Sequence, residues 1–283
     1  MRPKSQKDIR NVPVEVFFGG DLPRFVPRSI PGGEVQYTLG RRASIKDAIE
    51  ALGVPHTEIG SLTLNGQWTG FEALLRPGDR VLVLPPLPPV DVSAASVLHP
   101  VPAAGLRFLV DVNVAKLARM LRMLGFDALD DPDADDGALA ARAAVEQRVV
   151  LSKDGGLLKR RSVVWARYLR ADHPGEQLRE VVRFFGLSRY STPFSRCLRC
   201  NEPLVPVAKA DIVHRLLPKT KRYYQDFSRC PCCDRLYWRG SHHAHMQRWL
   251  QELCEEPCFG ARGRLFSGST TFSGNSAIAA KTL

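Results

Sequence analysis

The stretch RFLVDVNVAKLARMLRMLGFD (Arg107–Asp127) reads as strand, carboxylate and helix in immediate succession. Phe108, Leu109 and Val110 form a short apolar run that ends at Asp111. Val114, Leu117, Leu121 and Leu124 then recur at helical spacing, with Gly125 as the stop. Downstream, FDAL is strand-like, DDGALAARAAVEQ helical, RVVLS a strand, SVVWARYL a further strand and GEQLREVVRFFGL an amphipathic helix. This alternation predicts a mainly parallel sheet over residues 106–187, covered by helices on both faces.

Upstream the pattern differs. VEVFFGG and EVQYTLG read as a strand pair, and SIKDAIEALG as a helix with Ser44 and Asp47 spaced as a capping box and Gly53 as its stop. An Asn-Gly turn in SLTLNGQ and a last strand in RPGDRVLVLPP complete a strand–strand–helix–strand–strand order over residues 14–86. That order suggests a ubiquitin-like β-grasp, and LNGQ with LRPGDRVLVLPP resembles the small sulfur carriers of molybdopterin and thiamine synthesis. Those carriers end in a free Gly-Gly, whereas here the last strand runs into Pro85 and Pro86 and the chain continues. A docking or structural role, with a protein partner for this domain, is therefore expected in place of sulfur transfer. Residues 87–105, rich in Pro and Ala and free of Lys and Arg, read as a linker. The tail, 255–283, has no sustained periodicity and reads as disordered. The whole is a multidomain α/β chain.

Acidic residues collect where the predicted parallel strands end. Asp111 closes the first strand, Asp130 and Asp131 follow the second, Asp135 and Asp136 open the next helix, and Asp154 lies just past RVVLS. Functional groups of open parallel sheets gather outside the carboxyl ends of the strands. Clustered carboxylates repel unless a cation compensates them, and Mg²⁺ or Mn²⁺ suits oxygen ligands. Each acid also has a plainer reading: Asp135 or Asp136 as an N-cap, Asp130, Asp131 and Asp133 as a solvated loop, and Asp154 as part of a DGG turn. Lys116, Arg119 and Arg122 are expected on the exposed side of the first helix, and Lys153, Lys159, Arg160 and Arg161 flank Asp154. Together they offer phosphate contacts; singly, each is an ordinary surface charge.

CLRC (Cys197, Cys200) and CPCC (Cys230–Cys233) supply paired Cys-x-x-Cys knuckles, suited to a closed tetrahedral Zn²⁺ site at Cys197, Cys200, Cys230 and Cys233. Cys232 is then the spare, and Cys254 and Cys258 are expected to be free thiols. The segment 193–250 reads as a zinc ribbon without catalytic chemistry of its own. Around the knuckles, RLLPKTKRYYQDF and DRLYWRGSHHAH interleave cations with aromatics, a mixture that pairs phosphates and stacks bases. Lys219, Lys221 and Arg222 are the expected RNA contacts; Tyr237 and Trp238 either stack or pack on the ribbon. His242, His243 and His245 either touch RNA or do nothing visible.

The net charge of +11 is concentrated late: residues 187–283 hold 15 Lys/Arg against seven Asp/Glu, which favours an anionic partner. No run approaches the roughly 18 apolar residues of a membrane span. Seven cysteines without a hydrophobic signal region argue against a disulfide framework and for a cytoplasmic protein.

RFLVDVNVAKLARMLRMLGFD, RVVLSKD and HPGEQLREVVRFF resemble the PIN-like RNase family named after the C-terminal domain of the nematode exonuclease mutator-seven. Bacterial members often carry a ubiquitin-like N-terminal domain and a C-terminal zinc ribbon. The resemblance implies a metal-dependent ribonuclease with Asp111, Asp136 and Asp154 at the acidic positions. PIN nucleases often carry a further acid two residues after the one matched by Asp154; here that residue is Gly156. This departure keeps open a non-catalytic RNA- or ribosome-binding protein.

Overall fold

The computed structural model describes residues 12–26 and 33–254. The predicted tail and Cys258 lie outside these residues. The first domain is the expected β-grasp. Strands β1 (Val14–Phe18), β2 (Glu34–Tyr37), β3 (Ser61–Leu64), β4 (Gln67–Trp68) and β5 (Arg80–Leu84) form one sheet in the order β2-β1-β5-β3-β4. β1 and β5 run parallel, with Val16 beside Val81 and Phe18 beside Val83, and the other pairs are antiparallel. Val14, Val16 and Phe18 point inward, so the period-two pattern selects the buried face. Helix α1 (Ile45–Ala51) lays Ile45, Ala48 and Ile49 in the same core. Its start is the predicted capping box: Ser44 Oγ accepts from Asp47 N at 3.1 Å, and Asp47 Oδ2 accepts from Ser44 N at 3.0 Å. Asn65 and Gly66 both take positive φ (52° and 82°), which lets the two-residue turn between β3 and β4 follow the strand twist.

The Pro/Ala-rich stretch has no regular structure, yet it is packed. Val92, Leu98, His99 and Ala103 are buried, and Ala103 N donates to Val92 O at 2.8 Å. His99 stacks on Trp165 with ring centroids 4.3 Å apart.

The central segment contains β6 (Phe108–Val110), α2 (Lys116–Met123), β7 (Ala128–Asp130), α3 (Asp136–Glu146), β8 (Val149–Ser152), α4 (Gly155–Leu158), β9 (Ala166–Tyr168) and α5 (Pro174–Phe185). It is a parallel sheet with helices. β6 pairs β7 with Phe108 beside Ala128, and β8 pairs β9 with Val150 beside Ala166. β6 and β8 are buried along their whole length, as strands covered on both faces must be. Gly125 ends α2 at φ 92°, and a Cβ there would lie 2.2 Å from Thr192 O, so only glycine fits.

The C-terminal region has three antiparallel strands, β10 (Val205–Val207), β11 (Phe227–Arg229) and β12 (Leu236–Trp238). Short helices α6 (Lys209–Ile212) and α7 (Pro218–Tyr223) occupy the connection between β10 and β11, and α8 (Ser241–Cys254) follows β12. The chain sorts into two compact units. One joins the chain up to Gly105 with Ala134–Tyr168; the other joins Leu106–Asp133 with the chain from Leu169. The division runs through the central α/β segment.

Candidate metal centre and acidic positions

The two knuckles are built alike. Cys200 N donates to Cys197 Sγ at 3.3 Å and Cys233 N to Cys230 Sγ at 3.5 Å. Each turn closes on a left-handed residue, Asn201 (φ 67°) and Asp234 (φ 58°), whose N–H returns to the first cysteine's carbonyl at 3.0 Å. The four Sγ atoms of Cys197, Cys200, Cys230 and Cys233 lie within 4.8 Å of one another. Cys197 and Cys233 are 3.7 Å apart, and a tetrahedral ion with metal–sulfur bonds of about 2.3 Å requires sulfur–sulfur edges of about 3.8 Å. Cys232 is exposed and outside the group.

The thiols are not equivalent. Burial raises the Cys200 thiol and pushes Cys230 up to about 11. At Cys197 burial also raises, but hydrogen bonds from the Tyr237 hydroxyl and the Cys200 and Arg199 backbone outweigh it and bring the thiol down to about 7. Gathering four thiolates here needs a soft dication, and the donor set fits Zn²⁺.

The carboxylates occupy element termini. Asp111 follows β6, is 5% exposed and makes no side-chain cap to the turn it opens; its Oδ2 accepts from Asn113 Nδ2 at 2.6 Å. Asp135, not Asp136, caps α3, accepting from Ala138 N at 2.8 Å. Asp136 is the first residue of α3, and Arg160 Nη2 lies 3.8 Å from its Oδ2. Asp154 caps α4: Oδ1 accepts from Gly156 N at 2.6 Å and Leu157 N at 3.4 Å. A Cβ at Gly156 would stand 3.0 Å from that oxygen, so glycine leaves room for the cap. Asp130 pairs with Arg122, and the Asp172 carbonyl accepts from Gln177 Nε2 at 3.4 Å. Among the described residues, the cysteines alone form a group of three or more metal-capable side chains this close together.

A family model described as "Mut7-C RNAse domain" matches residues 106–250, and a second, "Mut7-C ubiquitin", matches residues 11–91. The chain belongs to the Mut7-C RNAse domain family. No match was found among curated proteins or solved structures. The Mut7-C RNAse domain points to a nuclease-like function, with RNA as the implied partner and the ubiquitin-like domain as a place for protein contacts. Among the described residues no helix is long and apolar enough to cross a membrane.

The expected RNA-contacting cations of this Mut7-C chain divide. Lys116, Arg119, Arg160 and Arg161 are exposed, and Lys153 is half-buried. Arg122 corrects the expectation of an exposed helix face: it is 5% exposed and donates to Ala128 O at 2.7 Å, Arg199 O at 3.1 Å and Leu198 O at 3.3 Å. Lys159 is likewise occupied, its Nζ donating to Glu50 O at 3.0 Å. On α7, Lys219 and Arg222 are exposed, Lys221 is half-buried, and the Arg222 guanidinium lies 5.5 Å from the Tyr223 ring centre. Tyr223 is 65% exposed, whereas Tyr237 and Trp238 are buried in the ribbon and present no stacking face. His243 packs on Phe194 at 4.4 Å and His245 is exposed; the side chains of His242 and Cys254 lie outside the described residues. Sequence reasoning missed His56, Glu58 and Arg167. None has a periodic or motif signal, because their partners are about a hundred residues away.

Proposed function

We propose that this chain is a metal-dependent ribonuclease, hydrolysing RNA phosphodiesters at a Mg²⁺ or Mn²⁺ site held by Asp111 and Asp154, with Asp136 as ligand or water orienter. The observation that carries the reading is Asp111, a carboxylate 5% exposed at the carboxyl end of a wholly buried strand and not used as a cap. A carboxylate at that end of a parallel strand is suited to hold a hard cation. A bound divalent ion supplies charge compensation and a water of lowered pKa. The chain's own residues do the rest. Lys116, Arg119, Lys153, Arg160 and Arg161 hold phosphates, and Arg160 balances Asp136. The ribbon, folded around Zn²⁺, presents Lys219, Lys221, Arg222 and Tyr223 to the RNA. A cytoplasmic location and an association with the ribosome belong to the same reading.

One observation favours a non-catalytic RNA-binding protein: Asp154 spends Oδ1 on the cap of α4, beside a glycine where PIN nucleases often place an acid. Cleavage of labelled single-stranded and structured RNAs, with and without Mn²⁺ or Mg²⁺, separates the two. Asp111→Asn and Asp154→Asn proteins that retain zinc should each lose at least about 100-fold in metal-dependent cleavage. Equal background in all three, with RNA binding intact, establishes the binding protein.

A further inference from the structure

We infer that the ubiquitin-like domain is a fixed clamp on the segment that carries Asp154, with Glu58 and His56 as its positioning residues. The evidence lies within one compact unit. Glu58 belongs to the ubiquitin-like domain, is 1% exposed, and uses both oxygens on β9: Oε2 accepts from Arg167 Nη1 at 2.6 Å and Oε1 from Tyr168 N at 2.7 Å. His56 reaches the turn before β9, its Nε2 donating to Val163 O at 2.9 Å, while Nδ1 meets Glu50 Oε1 at 2.7 Å. Glu50 O accepts from Lys159 Nζ at 3.0 Å. Phe25 packs edge-on against Tyr168 at 5.0 Å, and the connecting stretch adds His99 on Trp165 and Val101 O accepting from Trp165 Nε1 at 2.8 Å.

These contacts fall between Lys159 and Tyr168, the stretch directly after the short helix that Asp154 caps. The helix before it and the strand that ends it are small. α4 is four residues long and β9 three, too short to hold a position by themselves. The same stretch carries Arg160, the partner of Asp136. A domain serving as a tethered recruiter would keep its charged residues in water. Here a carboxylate and an imidazole are sequestered at the joint, a costly arrangement unless both partners stay in place.

Docking stands independently of the nuclease reading; the positioning role rests on Asp154 binding the metal. The test uses the full zinc-loaded chain, with Glu58→Ala, Glu58→Gln and, as a milder variant, Lys159→Met. Hydrogen exchange in residues 159–168 should rise at least about tenfold in Glu58→Ala. Partial restoration is expected in Glu58→Gln, which keeps an acceptor for Tyr168 N, while β1 and β5 stay protected. Mn²⁺ titrated alone should bind Glu58→Ala about threefold to tenfold more weakly than wild type and Glu58→Gln at an intermediate level. Unchanged exchange in Glu58→Ala and Lys159→Met overturns the clamp. Raised exchange with unaltered Mn²⁺ affinity overturns the positioning role and leaves the docking. If the wild-type chain binds no Mn²⁺ beyond zinc, the metal reading of Asp154 fails, and the positioning role with it, while the exchange result still decides the clamp.

Discussion

At the N-terminal seam Glu58 receives two hydrogen bonds from β9; at the C-terminal seam Arg122 gives three to backbone carbonyls, two of them, Leu198 and Arg199, inside the first cysteine knuckle. Asn201, the residue that closes that knuckle, adds Oδ1 accepting from Ala128 N at 3.0 Å and Nδ2 donating to Asp127 at 2.7 Å. Both seams bury a charged group: Glu58 is satisfied by the short strand β9, and Arg122 by β7 together with the knuckle turn. They differ in what holds the partner still. β9 is held by packing and by β8, whereas the knuckle carbonyls are held by a four-sulfur centre whose geometry calls for an ion. The first seam calls for no ion, whereas the second is built on four cysteines placed to hold one.

The largest effect should come from breaking that difference at its source. Cys230→Ser, or chelation, should remove the bound zinc as read by metal analysis and unfold the ribbon, since structural zinc sites in small domains contribute on the order of 10 kcal/mol. Exchange should rise in residues 197–201 and at Ala128, while the Glu58 seam stays protected. Equal loosening of both seams would remove the distinction. Arg122→Ala should come next, destabilising by about 3 kcal/mol in denaturant titration, because it leaves carbonyls and Asp130 without their donor. Arg119→Ala, on the exposed side of the same helix, serves as its control and should cost no more than about 0.5 kcal/mol.

Acid should sharpen the contrast from the other side. Burial, and then the charge of His56, lower His99 from 6.5 to about 4. The unfolded chain therefore takes up this proton first, and stability falls as pH drops from about 6.5 toward 4. The loss attributable to His99 is roughly 3 kcal/mol by linkage. His99→Phe, which keeps a ring on Trp165 without a proton site, should flatten that part of the profile in urea titrations at about pH 7 and pH 4.5. The smallest effect on the seams is expected far from either: Ser44→Ala should cost about 1 kcal/mol through the capping box of α1, without altering exchange at β9 or the knuckles.

Much of the fold was legible because its signals are local. The capping box of α1, the Asn-Gly turn, the apolar runs of β6 and β8 and the strand-terminal place of Asp111 each depend on residues within a few positions. The cysteine centre was legible for the same reason, since each knuckle is a single turn and only their meeting is long-range. The cations were read less well. Periodicity put Arg122 near the polar side of α2, but the guanidinium turns inward because knuckle carbonyls need donors there. Lys159 looked like a phosphate contact until Glu50 O claimed it.

By itself, the amino-acid sequence determined the order of domains, the four cysteines that gather into one group and the elements on which the acidic residues stand, because caps, turns, periodicity and knuckle spacing act over one or two turns of chain. Only the tertiary structure decided which charges are spent internally and which remain for a substrate. A buried charge takes its partner from whatever backbone comes within about 3 Å, and for Glu58, Arg122 and Lys159 that backbone is brought there by the fold rather than by proximity along the chain.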